Sequence, residues 1–237
     1  MSRGAYVLDL GLVPYREAWD LQRSLAGAVS QGAIPDTVVF LEHPPVVTLG
    51  RRTDEQEVHV PGDAAVEVVE TNRGGKSTYH APGQLVCYPI LDVRRHGKDV
   101  KRYVRDLEEA LIRTVAPLGV EATRIDGLTG VWVERPPRKI ASIGVHISRW
   151  VTTHGYALNV ALDPAPFTEW ITACGLEDAA FTTIARELER DISVDEVRPL
   201  AQAALAEVFD LELDALPAED GHGLWPQTVH AQLAAKA

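Results

Sequence analysis

The chain has 237 residues, 46% of them apolar and 24% charged, which suits one large globular core or two small ones and excludes a disordered chain. Against 23 basic residues stand 34 acidic ones, and the formal charge of −11 repels phosphate backbones, so nucleic acid is not an expected partner. Two cysteines cannot build a disulfide framework, they lack the paired spacing of a structural zinc site, and no stretch approaches the about 20 apolar residues of a bilayer span. The expectation is a soluble protein of a reducing compartment, the cytoplasm, with no membrane association and no metal.

Residues 5–10 alternate as a first strand, and Pro14 opens a helical pattern running to Gly32 with Ala18, Leu21, Leu25 and Ala28 on one stripe. TVVFLEH at 37–43 and VVTLG at 46–50 are β-branched runs divided by Pro44-Pro45, and AVEVVET at 65–71 is a further strand. RGGKSTYHAPGQ at 73–84 reads as a loop before the strand QLVCYPILDV at 84–93. Residues 99–117 form an amphipathic helix stopped near Pro117 and Gly119. Strands follow near 120–125, 130–134, 139–148 and 154–162, with helical segments near 166–172 and 194–209 and a loosely held tail over 214–237. Hairpin-like successions outnumber β-α-β alternations, so the class is α/β or α+β with a mixed or antiparallel sheet.

Gly74-Gly75-Lys76-Ser77 invites a phosphate-loop reading, but the pattern GxxxxGK[ST] needs glycine where this chain has Glu70, and Pro82 interrupts the helix that should follow. What the two glycines permit is close backbone approach to a bound group, with Arg73, Thr78 and His80 around it. A tight surface turn is the competing reading.

Cys87, inside LVCYPI, reads as a small core residue of a packed strand. Cys174, in ITACGLED, follows a short helical segment and precedes Gly175, which suits a thiol held at a loop. A free thiol, with pKa about 8.5, is only a few per cent thiolate at neutral pH and needs a neighbouring base or cation to act as a nucleophile. Only five lysines stand against 18 arginines. Lys76, Lys98, Lys101 and Lys236 occupy loop, helix or tail, whereas Lys139 opens KIASIGVHI, where alternation sets it with Ala141, Ile143, Val145 and Ile147 on one face. Dehydration there favours the neutral amine that can take a proton from a thiol, and a thiolate alongside restores the ammonium, so the two groups would titrate as a pair. A strand-end lysine reaching back to water is the alternative for Lys139, and His80 and His154, each beside glycines, are rival bases.

Four segments together, RGGKSTYHAPGQ at 73–84, GVW at 130–132, KIASIGVHI with HGYALN over 139–159, and ACG at 173–175, resemble the lipoyl(octanoyl) transferases of lipoate biosynthesis, in matching order over residues 5 to 210. The resemblance implies an α+β fold of the biotin/lipoate protein ligase type, a mixed sheet backed by helices with a smaller second sheet. It implies one catalytic domain over 1–213, with Cys174 as nucleophile and Lys139 as its acid/base partner. It implies acyl-binding stretches from Arg73 through Gly74, Gly75, Lys76, Ser77, Thr78 and Tyr79 to His80, at Ser142, Ile143 and Gly144, and at Gly155, Tyr156 and Ala157. No cofactor is implied. The implied donor is octanoyl-acyl carrier protein; the implied acceptors are lipoyl domains of 2-oxoacid dehydrogenase complexes and the glycine cleavage H protein, and the enzyme is expected to be a monomer. An ATP-dependent lipoate or biotin ligase and a catalytically silent binding module are the other readings. Two positions depart from the family's usual HGPGQ and PCG: Ala81, which would add a methyl where backbone approaches the ligand, and Ala173.

Overall fold

A computed structural model of the chain describes residues 2–171 and 180–216. β1 (Arg3–Leu12) leads through α1 (Tyr15–Gln31) to β2 (Asp36–Glu42), which lies parallel to β1. A helix has to bridge two parallel neighbours. Gly32, at φ +71°, ends α1 by donating its N–H to the Ala28 and Val29 carbonyls, the left-handed stop that glycine supplies at least cost.

The three short strands β3 (Val46–Leu49), β4 (Glu67–Glu70) and β5 (Thr78–His80) form a second sheet in the order β4-β3-β5. β6 (Gln84–Ile90) returns the chain to the large sheet, antiparallel to β2. α2 (Val100–Val115) begins at Asp99, whose side chain accepts from the Lys101 and Arg102 N–H groups. Then come β7 (Ala122–Ile125), β8 (Leu128–Val133), β9 (Arg138–Ser148), β10 (Val151–Asn159), α3 (Pro166–Glu169), β11 (Ala180–Phe181), α4 (Ile184–Leu188), α5 (Val194–Phe209) and β12 (Leu211–Ala215).

The large sheet runs β12-β1-β2-β6-β10-β9-β8-β7, with β11 beside the first residues of β9. It is covered on both faces because its central strands are apolar on both: in β2, Val38 and Phe40 join the cluster under α2 and α5, while Val39 and Leu41 join the cluster under α1. A third cluster, with Tyr79, Ala81, Leu162, Phe167 and Phe181, fastens the small sheet to the segment after β10.

Three differences from the sequence reading have physical causes. The segment 73–84, read as all loop, contains β5, because Thr78–His80 pairs antiparallel with β3. The short elements β11 and α4 lie in a stretch where no periodic segment was read. β12 runs through the boundary expected at 213/214: Leu211 and its neighbours pair parallel with Arg3 to Val7, a long-range partnership that a five-residue run does not advertise. Residues 217–237 of the expected tail lie outside the described residues. No described helix is long and apolar enough to cross a membrane.

Candidate active site

A cavity of about 400 Å³ lies where the small sheet meets β9 and β10. One wall is the loop 73–78, pinned by Arg73. That guanidinium is buried and donates from Nε to Thr48 Oγ1 (3.1 Å), from Nη2 to the Thr48 carbonyl (2.7 Å), and from Nη1 to the carbonyls of Gly74 (3.1 Å) and Lys76 (2.6 Å). Arg73 therefore ties the loop to β3 and arranges its backbone. Gly74 N–H donates to the Val145 carbonyl at 2.9 Å, which brings the loop down on β9. The approach needs glycine on the strand as well: a Cβ on Gly144 would stand 2.9 Å from the Gly74 carbonyl oxygen. Lys76 pairs with Glu57.

The floor is β9 and β10, whose ladder sets Ala157 against Ser142, Tyr156 against Ile143 and Gly155 against Gly144. Lys139 does not share the face that strict alternation assigns to it. The β8–β9 register slips between Val131–Ala141 and Trp132–Lys139, a bulge that turns Lys139 to the side of Trp132 and leaves Ala141 in the core with Val131. The amine lies 5.1 Å from the centre of the Trp132 ring and lines the cavity; the residue is buried, 3% exposed, so it does not reach back to water. Gly130, at φ +121°, gives it room: a Cβ there would stand 2.6 Å from Lys139 Cε.

On the α1 side, three buried histidines are held neutral. His43 is pushed down to about 4 by burial; its Nδ1 donates to the Val13 carbonyl (2.6 Å) and its Nε2 accepts from the Tyr88 hydroxyl (2.7 Å). His80 is pushed well below its usual value by burial and by the neighbouring His43; its Nδ1 donates to Gln84 Oε1 at 2.7 Å, and Gln84 Nε2 donates to Asn159 Oδ1 at 2.9 Å. His154, at φ +57°, breaks the strand pattern so that its ring meets α1. Nε2 donates to Asn72 Oδ1 (2.7 Å), Nδ1 accepts from the Tyr15 hydroxyl (3.3 Å), and burial followed by the Arg73 charge lowers it to about 3. With basicity pushed so far down by burial, these rings are weak acceptors for a thiol proton.

The expected residues 73–78, 142–144 and 155–157, with His80 and Lys139, are brought together around this one cavity. Tyr79 is not. Alternation along β5 turns its ring away, onto Phe167 (5.8 Å between centroids) and Trp170 (5.5 Å). Ala81 packs its methyl in that same apolar cluster and does not line the cavity, where a methyl facing the ligand was expected. Cys87 is a fully buried core thiol whose ionisation burial opposes, as expected. Cys174 and Ala173 lie outside the described residues.

Sequence reasoning missed Tyr15, Tyr88, Val104, Leu128 and Trp132 on the cavity wall. Trp132 sat in the GVW segment already noted, and Tyr15 directly follows the Pro14 that starts α1; Val104 carried no signal beyond the apolar stripe of α2. Among the described residues, no group of three or more His, Cys, Asp or Glu side chains is placed to hold a metal ion.

A mixed sheet backed by helices, with a smaller second sheet and a glycine loop at the cavity wall, has the lipoate and biotin protein ligase-like fold. A lipoate-protein ligase A solved with ATP superposes with a TM-score of 0.73 at 15% identity, over 99% of this chain and 95% of that one. A lipoate protein ligase of Thermoplasma acidophilum with its E2 lipoyl domain gives 0.71 at 16%, over 98% and 92%. The chain belongs to the lipoyl protein ligase A/B catalytic domain family, whose model matches residues 14–206. It is 52% identical over 206 residues to an octanoyltransferase of Mycobacterium tuberculosis (86% of each chain). It is 47% identical over 229 residues to one of Geobacter sulfurreducens (95% of this chain, 93% of that one).

Proposed function

We propose that this protein is an acyltransferase that moves an octanoyl group from octanoyl-acyl carrier protein to a lysine of lipoyl domains, the first step of endogenous protein lipoylation. The observation that carries the reading is the buried Lys139 amine at the wall of a partly apolar cavity, in a chain about half identical to octanoyltransferases. Cys174 gives up its proton to the Lys139 amine, and the thiolate attacks the thioester carbonyl. The tetrahedral intermediate collapses to an acyl-enzyme, and the departing carrier thiolate takes the proton back from Lys139. The acceptor lysine amine then attacks the new thioester. Its excess proton passes through Lys139 to the leaving Cys174 sulfur. Thioester exchange is near thermoneutral and the step from thioester to amide runs downhill, so the sequence needs no ATP.

Burying six methylenes at about 0.8 kcal/mol each gives about 5 kcal/mol, a millimolar-to-submillimolar contribution. Contacts with the carrier must supply the rest. The exposed cations Lys101, Arg102 and Arg105 of α2 suit an acidic carrier, and they flank Val104 on the cavity wall. The chain through the end of β12 at Ala215 acts as one catalytic unit, a monomer of the cytoplasm, with lipoyl domains of 2-oxoacid dehydrogenases and the glycine cleavage H protein as acceptors.

The test is intact-protein mass spectrometry after mixing with octanoyl-acyl carrier protein. The reading requires a gain of one octanoyl group that disappears in Cys174→Ala. ATP-dependent adenylate formation that persists in Cys174→Ala would establish a ligase in its place.

A further inference from the structure

Glu108 is a buried carboxylate on α2, across the sheet from the glycine loop, and both of its oxygens are committed. Oε2 is held by Arg124 Nε at 3.2 Å, and Arg124 is itself fixed by Glu109 (2.8 Å) and the Arg105 carbonyl (3.1 Å). Oε1 accepts the backbone N–H of Gly130 at 3.1 Å. Gly130 lies in a weakly paired part of β8. The ladder to β9 ends at Val131–Ala141, and the ladder to β7 shifts register between Thr123 and Ile125. A carboxylate placed here supplies the anchoring that the sheet does not.

What Gly130 supports is the lysine. A Cβ on Gly130 would stand 2.6 Å from Lys139 Cε and 3.2 Å from Nζ, so the end of that side chain rests on the bare α-carbon. The bulge opposite leaves the lysine close to the one residue whose amide Glu108 holds. We propose that Glu108 is a positioning residue for Lys139, acting through the Gly130 backbone from the opposite face of the sheet. This rests on the acid/base role proposed for Lys139. It adds a requirement of its own, that the amine keep its place only while this part of β8 is tethered.

The other groups around the cavity leave a clear window for the test. Burial keeps His80 and His154 neutral from below, and keeps Tyr15, raised to about 12, and Tyr88 and Tyr156, raised well above 10, neutral from above. Arg52 and Arg73 contribute guanidinium charge to the wall, and Lys76 is paired with Glu57. Between about pH 6.5 and 9 the rate then reports the thiol and its base.

The experiment follows the rate of acyl-enzyme formation from octanoyl-acyl carrier protein across that range for the full chain and for Glu108→Ala, Glu108→Gln and Lys139→Ala. Glu108→Ala should lower the rate about ten- to a hundredfold at pH 7, as a small misplacement of a reacting group does, with half-saturation by the donor unchanged within about twofold. The deficit should shrink toward pH 9, where a thiol of pKa about 8.5 ionises unaided. Lys139→Ala should show the same shape, deeper. Glu108→Gln should recover part of the rate, because its amide oxygen still accepts the Gly130 N–H while its NH2 gives up the bond from Arg124. If Glu108→Ala does not fold, Glu108→Asp withdraws the oxygen by one methylene and carries the same test. A wild-type rate at pH 7, or a deficit equal at every pH as a loosened fold would give, overturns the proposal. A flat, undiminished profile in Lys139→Ala removes the base itself, and this inference with it.

Discussion

The Tyr15 hydroxyl and the His154 imidazole, 139 residues apart in sequence, share a 3.3 Å hydrogen bond where α1 meets β10. Burial lowers His154 to about 3 and so keeps it neutral, and the neutral ring, donating from Nε2 to Asn72, accepts the hydroxyl proton at Nδ1. His43, lowered to about 4, and His80 are buried close by in the same state. All three are bases whose folded pKa lies below the unfolded value of about 6.5. Their contribution to stability is complete above pH 6.5 and declines as the pH falls toward 4, where the unfolded chain takes up protons that the folded one refuses. Each should remove about 1.4 kcal/mol of stability per pH unit below 6.5. Urea unfolding at pH 7 and pH 5 checks this. His154→Gln should show a smaller acid loss than wild type, by about 2 kcal/mol, and an identical loss in the two proteins would refute the assignment of a neutral buried ring.

Arg73, expected among the ligand contacts, lines the cavity and directs its guanidinium hydrogen bonds to protein groups. A planar fork serves the Thr48 hydroxyl and carbonyl at one end and the Gly74 and Lys76 carbonyls at the other. Lysine has the charge without the fork. Arg73→Lys should therefore cost about 2–3 kcal/mol in stability, through carbonyls left unpaired, and should raise the half-saturating donor concentration as the loop loosens. Thermal melting together with donor titration measures both; a variant with native melting and native saturation would show that the loop does not depend on the fork.

The legible parts of this protein were those written in local pattern. α1 declared itself by its apolar stripe between Pro14 and Gly32, the central strands by β-branched runs, and the glycine loop by Gly74 and Gly75. What stayed hidden was set by pairing at a distance. The bulge that moves Lys139 off its expected face depends on the register of β8 against β9, and nothing in KIASIGVHI announces it. The left-handed conformation of His154 follows from partners on α1 and at Asn72, more than 80 residues away. Glu108 looked like any acidic residue of an amphipathic helix until the strand it anchors was seen. Tyr79 could have been excluded from the site by alternation alone, once 78–80 was recognised as a strand.

Cys87 sets up a simple control on the thiol chemistry. It is fully buried between β2 and β10, and burial opposes its ionisation. In the folded protein it should be inert to an alkylating agent at pH 7 to 8, where accessible thiols react through their thiolate fraction. Cys174→Ala should take up no label until denatured, then one equivalent. Labelling of the folded variant would mean that the β6 region opens far more often than its packing implies.

The cavity also makes a statement about chain length. Because the β8–β9 ladder stops at Val131–Ala141, Leu128 and Thr129 on one strand and Ile143 and Val145 on the other border a gap, and Val104 of α2 closes it from behind. The expected place for an acyl tail attached near Lys139 is this apolar side, since His80, His154, Tyr15 and Tyr88 make the rest of the wall more polar. Filling the gap should shorten the preferred chain, and emptying it should lengthen the chain. One methylene in such a pocket is worth about 1–3 kcal/mol, a factor of about 10 to 200 in specificity. Val104→Phe should favour hexanoyl over octanoyl carrier by at least about tenfold relative to wild type, and Val104→Ala should shift preference toward decanoyl. Competition between carriers loaded with six, eight and ten carbons, read as the mass of the acyl-enzyme formed, measures the ratio directly. Unchanged ratios in both variants would place the tail elsewhere, along the aromatic wall beside Tyr15 and Tyr88, and the corresponding change at Tyr88 would then be the one to shift chain length.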